Sequence, residues 1–392
     1  MVKDLNVAVI TDSPLPDARV EKNLILHMEL NKNGTVHLIG PGKPMIIDDI
    51  IKIKKIPLAF KFARINWSQY ARLGLMPDYN ALKRKINELL KKIRPDFIYA
   101  HNIFAAKLAN DLNYDFVMDD HELYHFLMLM RAEEEPLFKK IKTLVKANIW
   151  ARWTDEIIGN VSAIITVSER IKEYYKSHFG FSKVYVIPNF PHSYEIFSAP
   201  FFKVSKVIQD MINKYGNNKL MLAYIGKGIF PPTPPYRDLT FVKDIVKKLR
   251  KKVVLFVLGT RKIGPLVGDY VIGLGYVYHL VLYNILKTMH VGLSSWRPHK
   301  FQAFCNPNKI FIYTHAGLLN LATITLEEAK RYIDHQTIFV YDPTVELPNV
   351  LIDLYEEREE IENTREKRIQ YARKNLLFDK YRDVLQKVYE LF

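Results

Sequence analysis

Apolar residues along the chain fall into short continuous runs separated by longer stretches with helical spacing. The first run covers residues 5–10. A loop with two prolines follows, then a helical pattern from 17 to about 32, closed by Asn33-Gly34, a pair suited to a left-handed cap. Residues 35–39 form the next apolar run. Strand, helix, strand in this order predicts a parallel α/β sheet. The order recurs with a helix over 80–93, a strand over 97–100, a helix over 103–112 and a strand over 116–119. A long helical region spans about 136–159. A strand over 163–167, a helix over 169–178 and a strand over 184–187 complete the first half.

A second series starts near residue 219. Its expected strands are 219–225, 253–258, 270–274, 290–294, 319–323 and 338–341, and its helices 238–252, 279–289, 307–315 and 326–332. A charged helical region runs from about 347 to the end. Between the two series, residues 188–200 hold three prolines and three aromatics and read as a linker. There is no internal repeat. The simplest architecture is α/β, with two doubly wound Rossmann-like domains of similar size facing across a cleft, at 1–195 and 196–376.

Composition narrows the class. The chain has 392 residues, 48% apolar and 25% charged, which excludes a disordered or collagen-like protein. The single cysteine, Cys305, excludes an internal disulfide and any Cys-based zinc site. No apolar stretch matches a secretion leader or a membrane span, so a cytoplasmic protein is expected. With 57 Lys and Arg against 42 Asp and Glu, the net charge is +15. Such an excess suits nucleic acid, an anionic membrane surface, a phosphorylated substrate or a merely solvated surface.

Two segments concentrate the charge. Residues 50–77 contain no acid and carry Lys52, Lys54, Lys55, Lys61, Arg64 and Arg72 among Phe60, Phe62, Trp67 and Tyr70. In 137–153, Leu137, Ile141, Leu144, Val145 and Ile149 fall at helical spacing beside Lys139, Lys140, Lys142, Lys146 and Arg152. Cations beside apolar residues suit the surface of an anionic bilayer, which makes peripheral attachment to the cytoplasmic membrane an expectation. An amphipathic helix packed on a core has the same pattern. No nucleic-acid-binding motif is recognisable, and nucleic acid is not expected as a partner.

The candidate chemistry lies at strand ends. Asp119-Asp120-His121-Glu122-Leu123-Tyr124 directly follows an expected strand. Ligands of an open parallel sheet sit beyond the carboxyl ends of its strands, where an oriented His can bond sugar hydroxyls. The same residues also suit a turn that caps the next helix. In the second half, Lys227 and Arg237 bracket a loop with four prolines, and Lys309 stands in the first turn of a helix. The helix dipole disfavours a cation there, unless lysine and helix end share an anion. A surface cation is the alternative for each.

The wording of these strand ends resembles the GT-B glycosyltransferases of the glycogen-synthase-like family 4. Asp17-Ala18-Arg19-Val20-Glu21-Lys22, Tyr99-Ala100-His101-Asn102, the Asp-x-His-Glu element, Ile165-Thr166-Val167-Ser168-Glu169 and Val186-Ile187-Pro188-Asn189 resemble its first domain in order. Tyr224-Ile225-Gly226, Tyr236-Arg237-Asp238-Leu239, Leu274-Gly275-Tyr276-Val277 and Pro307-Asn308-Lys309-Ile310-Phe311-Ile312-Tyr313 resemble its second. Residues 377–392 resemble the closing helix that returns to the first domain.

The resemblance implies a metal-independent, retaining transfer of a sugar from a nucleotide-diphosphate donor to a hydroxyl of a glycan or lipid-linked acceptor. No further cofactor is expected. It implies catalytic roles for His121, Arg237 and Lys227, and donor binding by Lys309, Gly226, Tyr276 and Tyr313. Asp12, Arg19, His101 and Glu122 fall on the acceptor side. One departure stands out: the family places a ribose-holding Glu where Ile312 stands, and often a second where Phe304 stands. A catalytically altered GT-B-like binding protein in a glycan-assembly complex is therefore the alternative.

Overall fold

A computed structural model describes residues 4–55, 59–67, 78–226, 229–230, 233 and 235–392. The chain divides into two compact units, Met1–Pro188 with Phe378–Phe392, and Asn189–Leu377. The changeover thus falls at Pro188, earlier than the expected 195. The expected linker is partly helical, because His192 and Glu195 form a reciprocal capping box at the start of Ser193–Ser198.

The first unit holds seven parallel strands: β1 Asn6–Thr11, β2 Thr35–Gly40, β3 Lys61–Arg64, β4 Phe97–His101, β5 Phe116–Asp120, β6 Ala163–Thr166 and β7 Val184–Val186. Their order is β3-β2-β1-β4-β5-β6-β7. The central strands β1, β4 and β5 are covered on both faces, which is why they read as unbroken apolar runs. The order reverses between β1 and β4, and there the carboxyl ends of neighbouring strands open a crevice.

Helices cover the sheet: α1 Ala18–Leu30, α2 Ile46–Lys54, α3 Tyr79–Ile93, α4 Asn102–Asp111, α5 Tyr124–Glu134, α6 Leu137–Ile158 and α7 Glu169–Phe179. Asp17 caps α1 by accepting from the N–H of Arg19 and Val20, and Ser168 caps α7. The closing helix Arg382–Tyr389 belongs to this unit. Tyr389 lies 2.8 Å from Nδ1 of His27, and Phe392 stacks on Phe97 at 4.3 Å.

The basic segment 50–77 is not a free cationic arm where it is described. Ile46, Ile47 and Ile50 bury one face of α2, and residues 61–64 form the edge strand β3. Lys61 and Arg64 are exposed on that edge, where cations discourage pairing with another chain. Residues 56–58 and 68–77, with Tyr70 and Arg72, lie outside the described residues.

The second unit repeats the plan with β8 Leu220–Ile225, β9 Val253–Leu258, β10 Ile263–Val267, β11 Val271–Leu274, β12 Val291–Ser294, β13 Leu319–Thr323 and β14 Thr337–Val340. The order is β10-β11-β9-β8-β12-β13-β14, all parallel except the β10–β11 hairpin. The principal helices are α8 Ser193–Ser198, α9 Lys206–Gly216, α10 Val242–Lys248, α11 His279–Leu286 and α12 Asn308–His315. The helix expected over 238–252 is shorter, since the Asp238 carboxylate takes the N–H of Thr240 in a turn. Among the described residues no helix is long and apolar enough to cross a membrane.

Candidate active site

In the first unit, β1, β4 and β5 end side by side. The register pairs Thr11 with His101 and His101 with Asp119, so the residues that follow each strand gather at one edge. Asp119 is the centre of this group. Its carboxylate accepts from Nη2 of Arg19 at 2.7 Å, Nδ2 of Asn23 at 2.7 Å and the Tyr99 hydroxyl at 3.1 Å. Arg19 also donates to the carbonyl of Ile187 at 2.8 Å. Arg19 and Asn23 stand four residues apart on α1 and therefore share one face. Burial alone would push the Asp119 carboxyl up, but Arg19, His121 and His101 reverse this and hold it well below the usual carboxylate range.

Nδ1 of His101 lies 3.0 Å from Nε2 of His121 and 3.4 Å from Asp119. Burial holds His101 well below its ordinary pKa, so its ring is neutral with one proton. Its Nε2 is buried without a hydrogen-bond partner. A bare ring nitrogen is cheaper to bury than an unbonded N–H, which assigns the His101 proton to Nδ1. That N–H faces Nε2 of His121, and the Asp119 carboxylate lies 3.4 Å from the first ring and 3.7 Å from the second, so the three side chains orient one another.

Asp12 follows β1 and accepts from Nδ2 of Asn102 at 3.3 Å; burial raises its pKa. Glu122 is half-buried next to His121. Asp120 points elsewhere, to the Tyr175 hydroxyl at 2.8 Å, and burial pushes its carboxyl up to about 7. Nitrogen and oxygen atoms of His101, Asp119 and His121 lie close enough to reach one metal ion. A metal there would compete with the Arg19 guanidinium for Asp119, so the donor set fits a hydrogen-bond network better.

One expected assignment changes here. Arg19 is fully occupied within the fold at 3% exposure, and its part is to hold Asp119 rather than to meet an acceptor.

In the second unit, Gly226, Gly259 and Gly275 end β8, β9 and β11 with φ of +125°, +95° and +75°. Side chains rarely adopt these angles, so the three strand ends turn on glycine. Beside Gly226 lies Lys309, in the first turn of α12. Its Nζ donates to the carbonyl of Ile225 at 2.6 Å and sits 4.1 Å over the Tyr224 ring and 5.3 Å from the Trp296 ring. Among the described residues Lys309 pairs with no carboxylate. Burial, and then the charge of Arg237, lower its pKa well below the ordinary value. An anion bound at this strand end and helix N-terminus would restore the charge of Lys309 and meet that of Arg237, which makes the place a candidate anion site.

Tyr276 follows β11 and is 77% exposed. Tyr313 is a correction: it is fully buried, and its hydroxyl accepts from the N–H of Ile225 at 3.0 Å. It braces the end of β8 and has no surface for a donor. Ile312, at 6% exposure, packs in the apolar core of this unit. Lys227 lies outside the described residues. Of the aromatic walls around Lys309, Tyr224 stands in a strand-end motif but had no site role assigned, and Trp296 carried no signal in the sequence.

Residues 26–190 match the family model described as Glycosyltransferase Family 4. No curated protein matches the sequence. Among solved structures, the chain is similar to a glycosyltransferase from Rickettsia africae ESF-5, with a TM-score of 0.65 at 13% identity over 98% of both chains. It is similar to Alr3699/HepE of Anabaena, solved with UDP and glucose, with a TM-score of 0.63 at 14% identity over 98% of this chain and 99% of that one. Sucrose-phosphate synthase from Thermosynechococcus elongatus gives 0.67 at 11% identity over 98% of both chains. The chain has the GT-B fold, and its residues 26–190 are similar to Glycosyltransferase Family 4.

Proposed function

We propose that the protein is a glycosyltransferase that moves a sugar from a nucleoside-diphosphate donor to a hydroxyl of a lipid-linked or surface glycan, with retention and without a metal, from the cytoplasmic face of the membrane. The carrying observation is the buried Lys309 beside Gly226, near enough to Arg237 for that charge to lower its pKa, which supports a site for an anion. Cleaving the bond between sugar and diphosphate leaves negative charge on the departing phosphate. Preorganised cations that meet this charge as it develops are the largest electrostatic aid available to such a reaction. Lys309 and Arg237 supply it, with Lys227 as the third cation implied by the family resemblance. In the first unit, His121 contacts the transferred sugar, its ring oriented by His101 and Asp119. Asp12 and Glu122 serve the acceptor.

The burial of Ile312 in the core supports a second reading, a binding protein that holds a nucleotide sugar without turning it over. Thermal-shift titration with a panel of nucleotide sugars, UDP sugars first, tests the donor site. Radiolabelled sugar transfer to a membrane lipid extract then separates the two readings. Binding with transfer supports the enzyme, binding without transfer the second reading, and no binding overturns both.

A further inference from the structure

Helix α6 has two apolar faces, and only one of them is used by the fold. Its buried positions, Ala147, Thr154 and Ile157, face the body of the first unit. Leu137, Phe138, Ile141, Leu144, Val145 and Ile149 are all exposed, Phe138 at 89%, Leu137 at 68% and Ile141 at 54%. At ~100° per residue these six positions span about 140° of the helix wheel, on the side opposite the buried three. An outward apolar stripe of this length is not explained by packing within the unit.

The charge beside the stripe itself is positive. Residues 137–154 hold Lys139, Lys140, Lys142, Lys146 and Arg152 and no acid; Asp155 and Glu156 follow in the last turn, Glu156 paired with Lys107 at 2.9 Å. On the wheel, Lys140 borders one side of the stripe and Lys142 and Lys146 the other. Just before the helix, Glu135 is bound to the Thr143 hydroxyl near the N-terminus, where the dipole favours an acid. A helix with this layout lies in the plane of a bilayer, its apolar side chains among the acyl chains and its lysines at anionic headgroups. A second copy of the chain is a poorer occupant, because two such faces oppose cation to cation.

We infer that the outward face of α6 docks the first unit on an anionic membrane surface. This deepens the reading of a lipid-linked acceptor by naming the attachment surface, yet it requires no catalysis. It shifts the main expected membrane contact from 50–77, where Ile50 and Ile65 are buried, to the outward face of α6.

Flotation of the full-length protein with vesicles of phosphatidylcholine alone, or of phosphatidylcholine mixed with phosphatidylglycerol, tests the inference at low and high salt. The expected result is flotation with the anionic vesicles that weakens as salt screens the attraction. Phe138→Ser with Ile141→Ser, and separately Lys140→Glu with Lys142→Glu, should each weaken binding roughly tenfold or more. Phe138, Ile141 and Lys142 are exposed and Lys140 is half-buried, so melting temperatures should stay near wild type and confirm folding. Nucleotide-sugar binding, read by thermal shift, should be unchanged in both variants, which separates docking from the donor site. Failure of the wild type to float with any vesicle overturns the inference. Equal flotation of both variants overturns the assignment to α6, and a dimer dissolved by Phe138→Ser with Ile141→Ser assigns the face to a second copy.

Discussion

His101 and Asp119 sit on adjacent strands, and Nδ1 of His101 lies 3.4 Å from Oδ2 of Asp119 while Arg19 holds the other oxygen at 2.7 Å. The carboxylate therefore joins a buried ion pair to a histidine pair. Removing its charge should affect both.

Asp119→Asn keeps the shape but leaves Arg19 buried without a counter-charge. Breaking a buried pair in this way costs roughly 3–5 kcal/mol. The folded pKa of Asp119 is depressed, so its stabilisation is fully present above the unfolded value of ~3.9 and is lost as pH falls through the folded value. Urea denaturation should show a constant gap between wild type and variant from neutral pH down to about 5, narrowing only in stronger acid. A gap that closes near neutrality would contradict the assignment.

His121→Ala tests the other end of the network. The His121 side chain is 14% exposed and among the described residues meets the His101–Asp119 pair, so its loss should cost little stability. If it orients the transferred sugar, turnover should fall by about 10²–10³-fold, as for other lost transition-state contacts. A melting temperature that collapses while activity per folded molecule stays intact would give His121 a purely structural part.

Much of this arrangement was legible in sequence, for a physical reason. Strands buried on both faces, such as β1 and β9, appear as continuous apolar runs, and the helices between them keep their caps. Two edge strands were not legible. β3 has only four residues, with a cation at each end, and lies inside the basic segment; β10 contains Gly264 and Pro265, which argue against a strand and are tolerated because it is an edge. The site divides similarly. Motifs named Arg19, His101 and His121, because each sits at a strand end or helix start. They could not show that Arg19 is consumed by a carboxylate 100 residues away, or that Tyr313 turns inward under β8. Such partners are chosen by tertiary packing, which leaves no local pattern.

Lys309 predicts a linkage between donor binding and protons. Burial and the nearby Arg237 lower its pKa, so the free protein binds fewer protons there than an ordinary lysine. A diphosphate favours the charged form and should draw a proton onto the lysine as it binds. Calorimetry of UDP-sugar binding in buffers of different ionisation enthalpy should show proton uptake, and affinity should fall as pH rises. Arg237→Ala should weaken binding by roughly 1.5–3 kcal/mol, the loss of a charged hydrogen bond, and reduce the uptake by relieving Lys309. Binding without any proton exchange would place the diphosphate elsewhere.

Ile312→Glu tests whether a carboxylate can be restored at this position. Ile312 is buried among Tyr313, Ala316, Leu286 and other apolar residues, so a new carboxylate enters the core. The expected result is a loss of a few kcal/mol in stability with no gain in donor affinity. Tighter nucleotide-sugar binding at an unchanged melting temperature would show instead that the position still borders a ribose pocket.

Asp120 offers a test within the physiological range. Burial pushes its carboxyl from 3.8 up to about 7, although the Tyr175 hydroxyl donates to it at 2.8 Å and pulls the other way. Between those values the native state binds more protons than the unfolded chain. Stability attributable to Asp120 therefore falls as pH rises through that window, and the full cost is present above about 7. Asp120→Asn keeps an acceptor for Tyr175 and removes the titration. The variant should be more stable than wild type at pH ~8, by on the order of a few kcal/mol, and the advantage should shrink steadily toward pH ~5. The comparison must be a difference, because buried histidines act with the opposite sign: burial lowers His27 to about 3 and His125 to about 4, so each adds stability as pH rises. Chemical denaturation of both proteins at several pH values cancels those shared contributions. A wild-type to variant difference that does not change between pH ~5 and ~8 would mean that Asp120 is already ionised throughout and that water reaches it.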